Sequence, residues 1–471
     1  MSKRLILAFL LALQWAPAPA STPLPSGLRA ALDRFQVPDA DLGLYIAPVD
    51  GGSHPITLNP LKPFNPGSVM KLLPSIAALE SLTPAYQWST GIYTTGRLAK
   101  GVLHGDLYIK GGGDPYLTVE SVWAMLRAVR GSGIRRIAGN IVVDDHIFDL
   151  PHLDRAEFDD KPYRIYNGPA NGLLVNFWAV RFTITALADE VHIDAFPDSR
   201  RLRIVNHIRR TDSSCRPSTR YVAYRVDTTR DAVVVDFDGV LSTRCPPVIM
   251  TRAVIPSDRY LAYVLPGLWR SAGGTLAGTV TKGSVPDDAE KIYTHSSRTL
   301  AEVVRATDKF SNNLMARNLL LTLGTLYKDS DVTVGDGVKA LDDWLLSRGI
   351  DVPGLKVVNG AGLSRDARIS ARGLANVLRA GFHSRFAPEF LSAFPIAGED
   401  WALEDRDFDE SIPEMVRMKT GLLDDVRGMG GYITSRSGKT YITVLLVNHK
   451  GIQNQVGTRM QNAVIRYVLG L

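Results

Sequence analysis

The sequence contains few of the residues on which metal-dependent or cysteine-based catalysis depends. Of its 471 residues only two are cysteines and nine are histidines. It has no HExxH segment and no CxxC pair, and its histidines show no ligand spacing, which argues against a zinc enzyme and a cysteine nucleophile. Cys215 and Cys245 would form a disulfide in an oxidising compartment, and two buried free thiols are the alternative. We therefore expect no metal site.

Long apolar runs are also scarce, and the clearest one lies at the amino terminus. Leu5 to Leu13 form this run, with Lys3 and Arg4 before it and the small residues Ala18-Pro19-Ala20 after it. This order is typical of a secretory signal, and the run is shorter than the roughly 20 residues that span a bilayer. The sequence predicts an export signal at residues 1–20, cleaved near Ala20, and no membrane span. A buried amino-terminal helix is the alternative.

An excess of charge of one sign is likewise missing. The formal net charge is +6, and 45% of the residues are hydrophobic, which permits a large core and argues against wholesale disorder. Arginine is concentrated in residues 200–230, where nine arginines face only Asp212 and Asp227. Because this segment lacks regular aromatic interleaving, a solvated basic face is a better interpretation than a nucleic-acid site. We expect no nucleic-acid partner.

The hydrophobic pattern is mixed α/β at both ends of the chain and rich in strands in the middle. A hairpin is predicted over Leu42–Leu58 and a helix over Ser68–Leu82. Between residues 86 and 149 short strands alternate with glycine-rich turns, and only Val119–Val129 shows helical periodicity there. Residues 171–255 are rich in strands. A final hairpin, turning at Ser437-Gly438, precedes a carboxy-terminal helix. Helical periodicity returns before that hairpin in four segments: Thr299–Thr307, Leu314–Leu323, Gly335–Arg348 and Ala371–Ala380.

The first segment with catalytic potential is Ser68-Val69-Met70-Lys71, at the start of a predicted helix. Residues three apart on a helix share one face, so a neutral lysine amine could take the proton of the serine hydroxyl, which is otherwise a weak nucleophile. The free N–H groups at a helix start would also favour a developing oxyanion. Taken alone, a capping serine beside an exposed lysine explains this segment better.

Two later segments offer complementary groups. Ser311-Asn312-Asn313 lies between two predicted helices and could present a hydroxyl and a carboxamide to a cleft, although a simple turn favours the same residues. Lys419-Thr420-Gly421 ends a predicted strand. Its cation and hydroxyl suit a peptide carboxylate, and glycine lets a ligand approach the backbone closely. An ordinary strand end is the alternative interpretation.

The three segments together follow the order SxxK, SxN, KTG, and each lies on the expected type of element. This is the motif set of penicillin-binding proteins and serine β-lactamases. The gap between the first two motifs is more than twice the second gap, which is too long for a compact β-lactamase. Segments such as GDLYIKGGGDPYL and MKTGLLDDVRGMGGYI add to the similarity. Over most of residues 40–471 the chain resembles the D-alanyl-D-alanine carboxypeptidase/endopeptidase family, the class C low-molecular-mass penicillin-binding proteins of the penicillin-binding protein 4 type.

The resemblance implies a fold as well as a motif set. We expect an α/β (α+β) penicillin-recognising transpeptidase-like catalytic domain, with an antiparallel sheet flanked by helices, and two inserted β-rich domains. The expected domains are the discontinuous catalytic domain at 21–85 and 285–471, the second domain at 86–170 and 250–284, and the third at 171–249.

The resemblance also implies roles for five catalytic residues. Ser68 would be the acylated nucleophile and Lys71 its general base. Ser311 would relay a proton to the nitrogen of the leaving D-alanine, and Asn313 would hold the substrate amide. Lys419 would attract the substrate carboxylate, and its positive charge would lower the pKa of Lys71.

Four further residues are implied to bind substrate. Thr420 would bind the substrate carboxylate beside Gly421, and the N–H of Leu422 would complete an oxyanion hole with that of Ser68. Asp144 resembles an acidic position that some relatives turn toward the cleft, where it would meet a cationic amine. A turn aspartate is the alternative for this residue.

The sequence departs from the family pattern at two positions. Pro74 replaces a residue that usually has a backbone N–H, and if the helix started before Ser68 it would kink the helix or cost about 3 kcal/mol, shifting Lys71. Leu422 stands where a polar residue is common, which bears on substrate preference because only its N–H is needed for the hole.

The function implied by the resemblance is a periplasmic serine-type D-Ala-D-Ala carboxypeptidase, possibly with endopeptidase activity, that acts on peptidoglycan stem peptides. β-Lactams would acylate Ser68 because they mimic the substrate, and no organic cofactor or metal is implied. Two alternatives stay open: a β-lactamase or esterase on the same scaffold, and a catalytically weak peptidoglycan-binding scaffold. The oligomeric state and the choice between the two peptidase activities are not determined by the sequence.

Overall fold

The computed structural model describes residues 23–400, 403, 415–453 and 455–471, so the predicted export signal at residues 1–20 lies outside the described residues. Within these ranges, no helix combines the length and the hydrophobicity that crossing a bilayer requires. The described α-helices are α1 (Ser26–Asp33), α2 (Leu72–Leu82), α3 (Val119–Gly131), α4 (Ser257–Ser271), α5 (Leu300–Lys309), α6 (Asn313–Gly324), α7 (Val334–Ser347), α8 (Ala371–Phe382), α9 (Ala387–Ser392) and α10 (Gln455–Leu469).

The strands divide between a central sheet built from both ends of the chain and several sheets built from its middle. The central sheet has five antiparallel strands in the order β2-β1-β22-β21-β20, with β20 at one edge. The described strands are β1 (Leu42–Pro48), β2 (Ile56–Leu58), β3 (Pro63–Phe64), β4 (Gln87–Thr94), β5 (Arg97–Ala99), β6 (Val102–His104), β7 (Leu107–Lys110), β8 (Arg136–Ile137), β9 (Ile141–Asp144), β10 (Val180–Ala186), β11 (Val191–Phe196), β12 (Leu202–Thr211), β13 (Arg220–Thr228), β14 (Val233–Ser242), β15 (Val248–Arg252), β16 (Thr275–Leu276), β17 (Val280–Lys282), β18 (Glu290–Thr299), β19 (Ile369–Ser370), β20 (Val416–Leu423), β21 (Val426–Thr434) and β22 (Thr440–Asn448).

The central sheet is covered by helices on both faces. Successive side chains of a strand point to opposite faces, and β22 is apolar at both sets of positions. Val444 and Leu446 belong to a core shared with α2, α5, α6, α7 and α8, whereas Leu445 and Val447 belong to a core shared with α1 and α10. This arrangement confirms the predicted antiparallel sheet flanked by helices.

The predicted hairpins at the two ends of the chain are present, with one difference in the strand that carries Lys419. The sequence analysis ended that strand at Gly421, but β20 continues to Leu423. β20 extends further because it stays paired with β21 up to a tight turn. Leu422 pairs with Arg427, and Leu423 pairs with Val426. The segment Lys419-Thr420-Gly421 therefore lies within an edge strand rather than at its end.

The middle of the chain forms β-rich insertions, as the fold prediction requires. Its sheets have the orders β17-β9-β7-β4-β18, β16-β8-β6-β5, β11-β10-β15 and β12-β14-β13. Helix α4 was not predicted from the sequence, which assigned residues 250–284 to a β-rich domain. Tyr260, Val264 and Leu268 of α4 recur at intervals of four residues and are buried in the core of this region, so burial of one helix face outweighs the helix-breaking tendency of Pro266. The exact boundaries between the inserted domains stay a prediction.

The predicted disulfide between Cys215 and Cys245 is formed. The two sulfur atoms are 2.07 Å apart and the two Cα atoms 4.9 Å apart. The bond closes a loop that begins after β12 and ends after β14, so it links the chain on both sides of β13.

Removing this disulfide is expected to destabilise the inserted region. Closing a loop of 30 residues stabilises the folded state by about 3–4 kcal/mol in the chain-entropy model. A Cys215→Ser/Cys245→Ser variant should therefore unfold at lower temperature in calorimetry, and reductant should shift the wild type in the same way without affecting the variant. A wild-type transition that does not respond to reductant would contradict this expectation.

Candidate active site

Ser68 and Lys71 lie on a single turn of 3₁₀-helix at the centre of the protein. The turn spans Gly67–Lys71 and leads directly into α2, whereas the sequence predicted an α-helix from Ser68 onward. In a 3₁₀-helix, side chains three residues apart are eclipsed, which places the lysine amine over the serine hydroxyl. The distance from Lys71 Nζ to Ser68 Oγ is 2.9 Å.

The sequence-predicted distortion at Pro74 is absent. Hydrogen bonding of the α-helical type begins only at Leu72, so Pro74 is the third residue of α2. Proline is tolerated in the first turn of a helix, where N–H groups have no partner within the helix. The prediction assumed an α-helix that started before Ser68, and the 3₁₀ turn removes that condition.

Lys71 is surrounded by oxygen atoms in a fully buried position. Besides Ser68 Oγ, its amine reaches Asn313 Oδ1 at 2.7 Å and the carbonyl oxygen of Ala361 at 2.6 Å. Burial, and next the charge of Lys419, bring the pKa of Lys71 well below its usual value. A neutral amine has two N–H bonds and one lone pair. The two carbonyl-type oxygens can accept the N–H bonds, which leaves the lone pair for the Ser68 hydroxyl proton.

Ser311 and Asn313 reach the same place from the junction of α5 and α6. The Asn312 side chain caps α6 by accepting hydrogen bonds from the N–H groups of Leu314 and Met315 at 3.0 and 3.1 Å. Ser311 adopts a left-handed conformation, with φ 53°, to make this sharp turn between the helices. The turn directs Asn313 toward Lys71, and its Nδ2 donates to the carbonyl oxygen of Tyr166 at 3.3 Å.

Lys419 completes the cluster from the edge strand β20. Its buried amine donates to Ser311 Oγ at 2.9 Å and to the carbonyl oxygen of Thr420 at 3.0 Å. Burial lowers the pKa of Lys419 to about 8, and the charge of Asp308 opposes this shift. The structure therefore brings together all five residues that the sequence analysis named as catalytic, although they come from three distant segments.

The backbone of β20 passes very close to the turn that carries Ser68. A Cβ atom at Gly421 would lie 2.3 Å from the carbonyl oxygen of Pro66 and 2.9 Å from the backbone nitrogen of Ser68. A Cβ atom at Gly67 would lie 3.3 Å from the nitrogen of Leu422. The N–H groups of Ser68 and Leu422 thus belong to adjoining stretches of backbone, and glycine at 421 is what permits the approach.

Asp144 does not join the cluster. Its oxygens accept hydrogen bonds from the N–H of Val285 at 2.9 Å and from the N–H and Nδ1 of His146 at 3.2 and 3.0 Å. Burial raises its pKa, but these hydrogen bonds outweigh burial and lower it. Asp144 lines a separate cavity of about 450 Å³ beside Lys110 and Lys291. Its contacts fit the alternative interpretation of a turn aspartate, and binding of a substrate amine stays a prediction.

Comparison with known proteins identifies the family. Residues 27–468 match the model of the D-Ala-D-Ala carboxypeptidase 3 (S13) family. The chain belongs to this family. It is 26% identical over 455 residues to a D-alanyl-D-alanine carboxypeptidase from Actinomadura sp. (strain R39), with 92% of this chain and 82% of that protein covered. It is 24% identical over 385 residues to the D-alanyl-D-alanine carboxypeptidase DacB of Haemophilus influenzae, with 81% and 80% covered.

Solved structures give the same fold. The crystal structure of penicillin-binding protein 4 (dacB) from Haemophilus influenzae matches with a TM-score of 0.78 at 20% identity, covering 94% of this chain and 99% of that one. Its complex with a β-lactam matches with a TM-score of 0.73 over the same shares. Membership of the S13 family makes the chain a serine-type D-Ala-D-Ala carboxypeptidase, a hydrolase of the peptidase class.

The geometry of the five clustered side chains also depends on backbone groups that the sequence did not predict. The carbonyl oxygens of Ala361 and Tyr166 position Lys71 and Asn313, and backbone carbonyls carry no residue-specific signal. The glycines on both sides of Ala361 were a usable sign of a sharp turn, and both have positive φ, at 70° and 74°. The described residues contain no group of histidine, cysteine, aspartate and glutamate side chains arranged to hold a metal ion.

Three segments meet at one side of these five side chains. The guanidinium group of Arg365 forms an ion pair with Asp424 at 3.0 Å, next to the turn between β20 and β21, and lies 4.7 Å from the ring centre of Phe158. Phe158 belongs to the inserted region, as does Tyr166, whose carbonyl oxygen contacts Asn313. The insertion therefore contributes directly to the surroundings of the site.

Proposed function

We propose that this cluster is the catalytic centre of the carboxypeptidase and that Ser68 is its nucleophile. The observation that carries the proposal is the position of the Lys71 amine, fully buried and 2.9 Å from Ser68 Oγ. A lysine that loses its charge through burial can act as a general base near neutral pH, and a serine hydroxyl needs such a base to become an effective nucleophile.

The reaction then follows from the contacts. Lys71 takes the proton of the Ser68 hydroxyl while Ser68 Oγ attacks the carbonyl carbon of the bond that precedes the terminal D-alanine. The N–H groups of Ser68 and Leu422 stabilise the resulting oxyanion. When the C–N bond breaks, the leaving amine takes a proton from the Ser311 hydroxyl. Lys419, whose ammonium group donates to Ser311 Oγ at 2.9 Å, replaces the proton that Ser311 gives up. Water then attacks the acyl carbon and passes a proton through Ser311 to Lys419, while Lys71 returns its proton to Ser68 Oγ as the ester bond breaks, so both lysines regain their starting states.

The two lysines divide their tasks by charge. Lys71 has to be neutral to accept a proton, and Lys419, whose pKa is about 8, is mostly protonated at neutral pH. Burial, together with the positive charge of Lys419, keeps Lys71 neutral. The charge of Lys419 also attracts the terminal carboxylate of the substrate, which Thr420 binds as well. Asn313 Oδ1 contacts Lys71, and one N–H of its Nδ2 donates to the carbonyl oxygen of Tyr166. The second N–H of Nδ2 holds the substrate amide.

The substrates we propose are the stem peptides of peptidoglycan, met in the periplasm after export. Cleavage of a terminal D-alanine and cleavage of a cross-link both break a bond that follows a D-residue, so the same acyl-enzyme serves a carboxypeptidase and an endopeptidase. The complex of Haemophilus influenzae penicillin-binding protein 4 with a β-lactam supports β-lactams as covalent inhibitors.

The proposal is tested by mapping the site of acylation. Purified protein is incubated with benzylpenicillin, digested, and analysed by mass spectrometry, while monomeric and cross-linked muropeptides are assayed in parallel. A stable penicilloyl group on the peptide that contains Ser68, together with release of D-alanine, is expected. Modification at another residue, or no modification, would overturn the assignment of the nucleophile. Rapid turnover of the drug without muropeptide cleavage would instead indicate a β-lactamase.

A further inference from the structure

Asp308 is a buried acidic residue that the proposed mechanism does not use. It lies in the last turn of α5, three residues before Ser311, and is completely inaccessible to solvent. Both of its carboxylate oxygens lack a hydrogen-bond partner among the described residues. Leaving a buried carboxylate without hydrogen bonds is energetically costly, so such a group needs a compensating interaction.

The compensating interaction is electrostatic and comes chiefly from the charged amine of Lys419, which donates to the hydroxyl of Ser311, three residues after Asp308. Lys419 from β20 and Lys71 from the 3₁₀ turn both act on Asp308, and the effect of Lys419 is the larger. The hydroxyl of Ser75, on α2, also favours the ionised form of Asp308, although the two side chains do not reach hydrogen-bond geometry. Burial alone would favour the neutral acid, and it raises the pKa of Asp308 to about 6. The group is therefore mostly ionised at neutral pH.

The other charged side chains near Asp308 lie on α5 itself and on α6, which packs against it. Arg317 of α6 acts on Lys71, where its positive charge adds to that of Lys419 in favouring the neutral amine. Lys309, next to Asp308 in the chain, is engaged with Asp400 at 2.5 Å. The described residues of α9 and β18, which also pack on α5, add no charge that shifts the pKa of Asp308. Asp308 thus supplies the negative charge in a cluster whose basic groups are Lys71, Lys419 and Arg317.

We propose that Asp308 is a positioning residue that acts through Lys419, holding it in the protonated state at neutral pH while Lys71 stays neutral. This inference rests on the proposed function and names a regulator of the same site. Asp308 and Lys419 are both buried, and Asp308 lies three residues before Ser311, whose hydroxyl accepts a hydrogen bond from Lys419 at 2.9 Å. The carboxylate is therefore placed to stabilise the charge on the lysine that must carry one. Without it, two lysine amines would share a buried space with no opposing charge, and Lys419 would release its proton more easily.

The effect on activity has a definite sign. The rate of Ser68 acylation should fall as pH rises through about 8, where Lys419 loses its proton. An Asp308→Asn substitution removes a negative charge that raises the pKa of Lys419, so the alkaline limb of the pH profile should move to lower pH. Loss of a nearby opposite charge typically lowers the pKa of a lysine by about one unit or more, so at pH 9 the variant should react about tenfold more slowly than the wild type, while near pH 6 the two should differ much less.

The experiment measures the rate of acylation by a fluorescent penicillin from pH 5 to pH 10. Asp308→Asn is compared with the wild type, with Asp308→Glu, and with Asp33→Asn, which removes an exposed carboxylate on α1. Wild-type profiles are expected for Asp308→Glu and Asp33→Asn. A second variant, Asp308→Ser/Ser75→Asp, moves the carboxylate to the neighbouring position on α2 and should restore the alkaline limb of the pH profile. This variant also tests the proposal if Asp308→Asn folds poorly.

The outcomes separate this inference from the proposed function. A wild type that is not acylated at Ser68 refutes the proposed function, whatever the variants do. The electrostatic role is refuted if the wild type is acylated but Asp308→Asn, or Asp308→Ser/Ser75→Asp, is slower than the wild type by the same factor at every pH. Ser68 would remain the nucleophile in that case. The proposal is supported if the alkaline limb moves to lower pH in Asp308→Asn and returns to its wild-type position in Asp308→Ser/Ser75→Asp.

Discussion

Replacing Lys71 with methionine is expected to slow acylation of Ser68 by about 10²–10⁴-fold, the usual contribution of a general base. Methionine is unbranched and apolar, so it can fill the space of the lysine side chain without burying a charge. The substitution removes the nitrogen that lies 2.9 Å from Ser68 Oγ and leaves the hydroxyl without a proton acceptor. Release of D-alanine from muropeptides should fall by the same factor, because both reactions begin with this step.

The fold should survive the Lys71→Met substitution. Asn313 Oδ1 and the carbonyl oxygen of Ala361 lose a buried donor, which costs about 1–3 kcal/mol and lowers the melting temperature without unfolding the protein. Lys339→Met, on the exposed surface of α7, is the matched control and should keep the wild-type rate. A Lys71→Met protein that is acylated within a few-fold of the wild-type rate would show that another group takes the proton.

Replacing Gly421 with alanine is expected to reduce the acylation rate by about 10²–10³-fold, as loss of one oxyanion-hole donor does. The added methyl group would sit 2.3 Å from the carbonyl oxygen of Pro66 and 2.9 Å from the nitrogen of Ser68. Real atoms do not tolerate these distances, so β20 has to move away from the 3₁₀ turn. The movement separates the N–H groups of Ser68 and Leu422 and displaces Lys419 as well.

The control for this variant is Gly131→Ala at the end of α3, where a new Cβ atom would have no neighbour within 4 Å. Acylation by fluorescent penicillin, followed over time, measures both rates, and circular dichroism checks that both proteins are folded. Gly131→Ala should react like the wild type. If Gly421→Ala also did, the close approach of β20 to Ser68 would have no part in stabilising the oxyanion.

Local patterns predicted their structures accurately. The hairpins around β1 and β22 and the helices α5 to α8 follow from apolar periodicity and turn residues, and each lies within a few residues of its expected position. Helix α4 was not predicted, because Pro266 and a strand-rich context concealed a helix that is stabilised by burial of its apolar face. The turn of Ser68 was not predicted either, because whether the first turn is 3₁₀ or α depends on what packs around it.

The chemical groups of the site and their spacing along the chain follow from the sequence alone. A serine and a lysine three residues apart, a serine and an asparagine two apart, and a lysine before a threonine and a glycine are local facts, and their order indicated the family. How these groups act on one another depends on the tertiary structure. The contacts of Lys71 with Asn313 and Ala361, the interaction of Asp308 with Lys419 and the hydrogen bond of Asp144 to Val285 all join residues distant in sequence. Hydrogen bonds and electrostatic interactions act through space, so no local pattern specifies them.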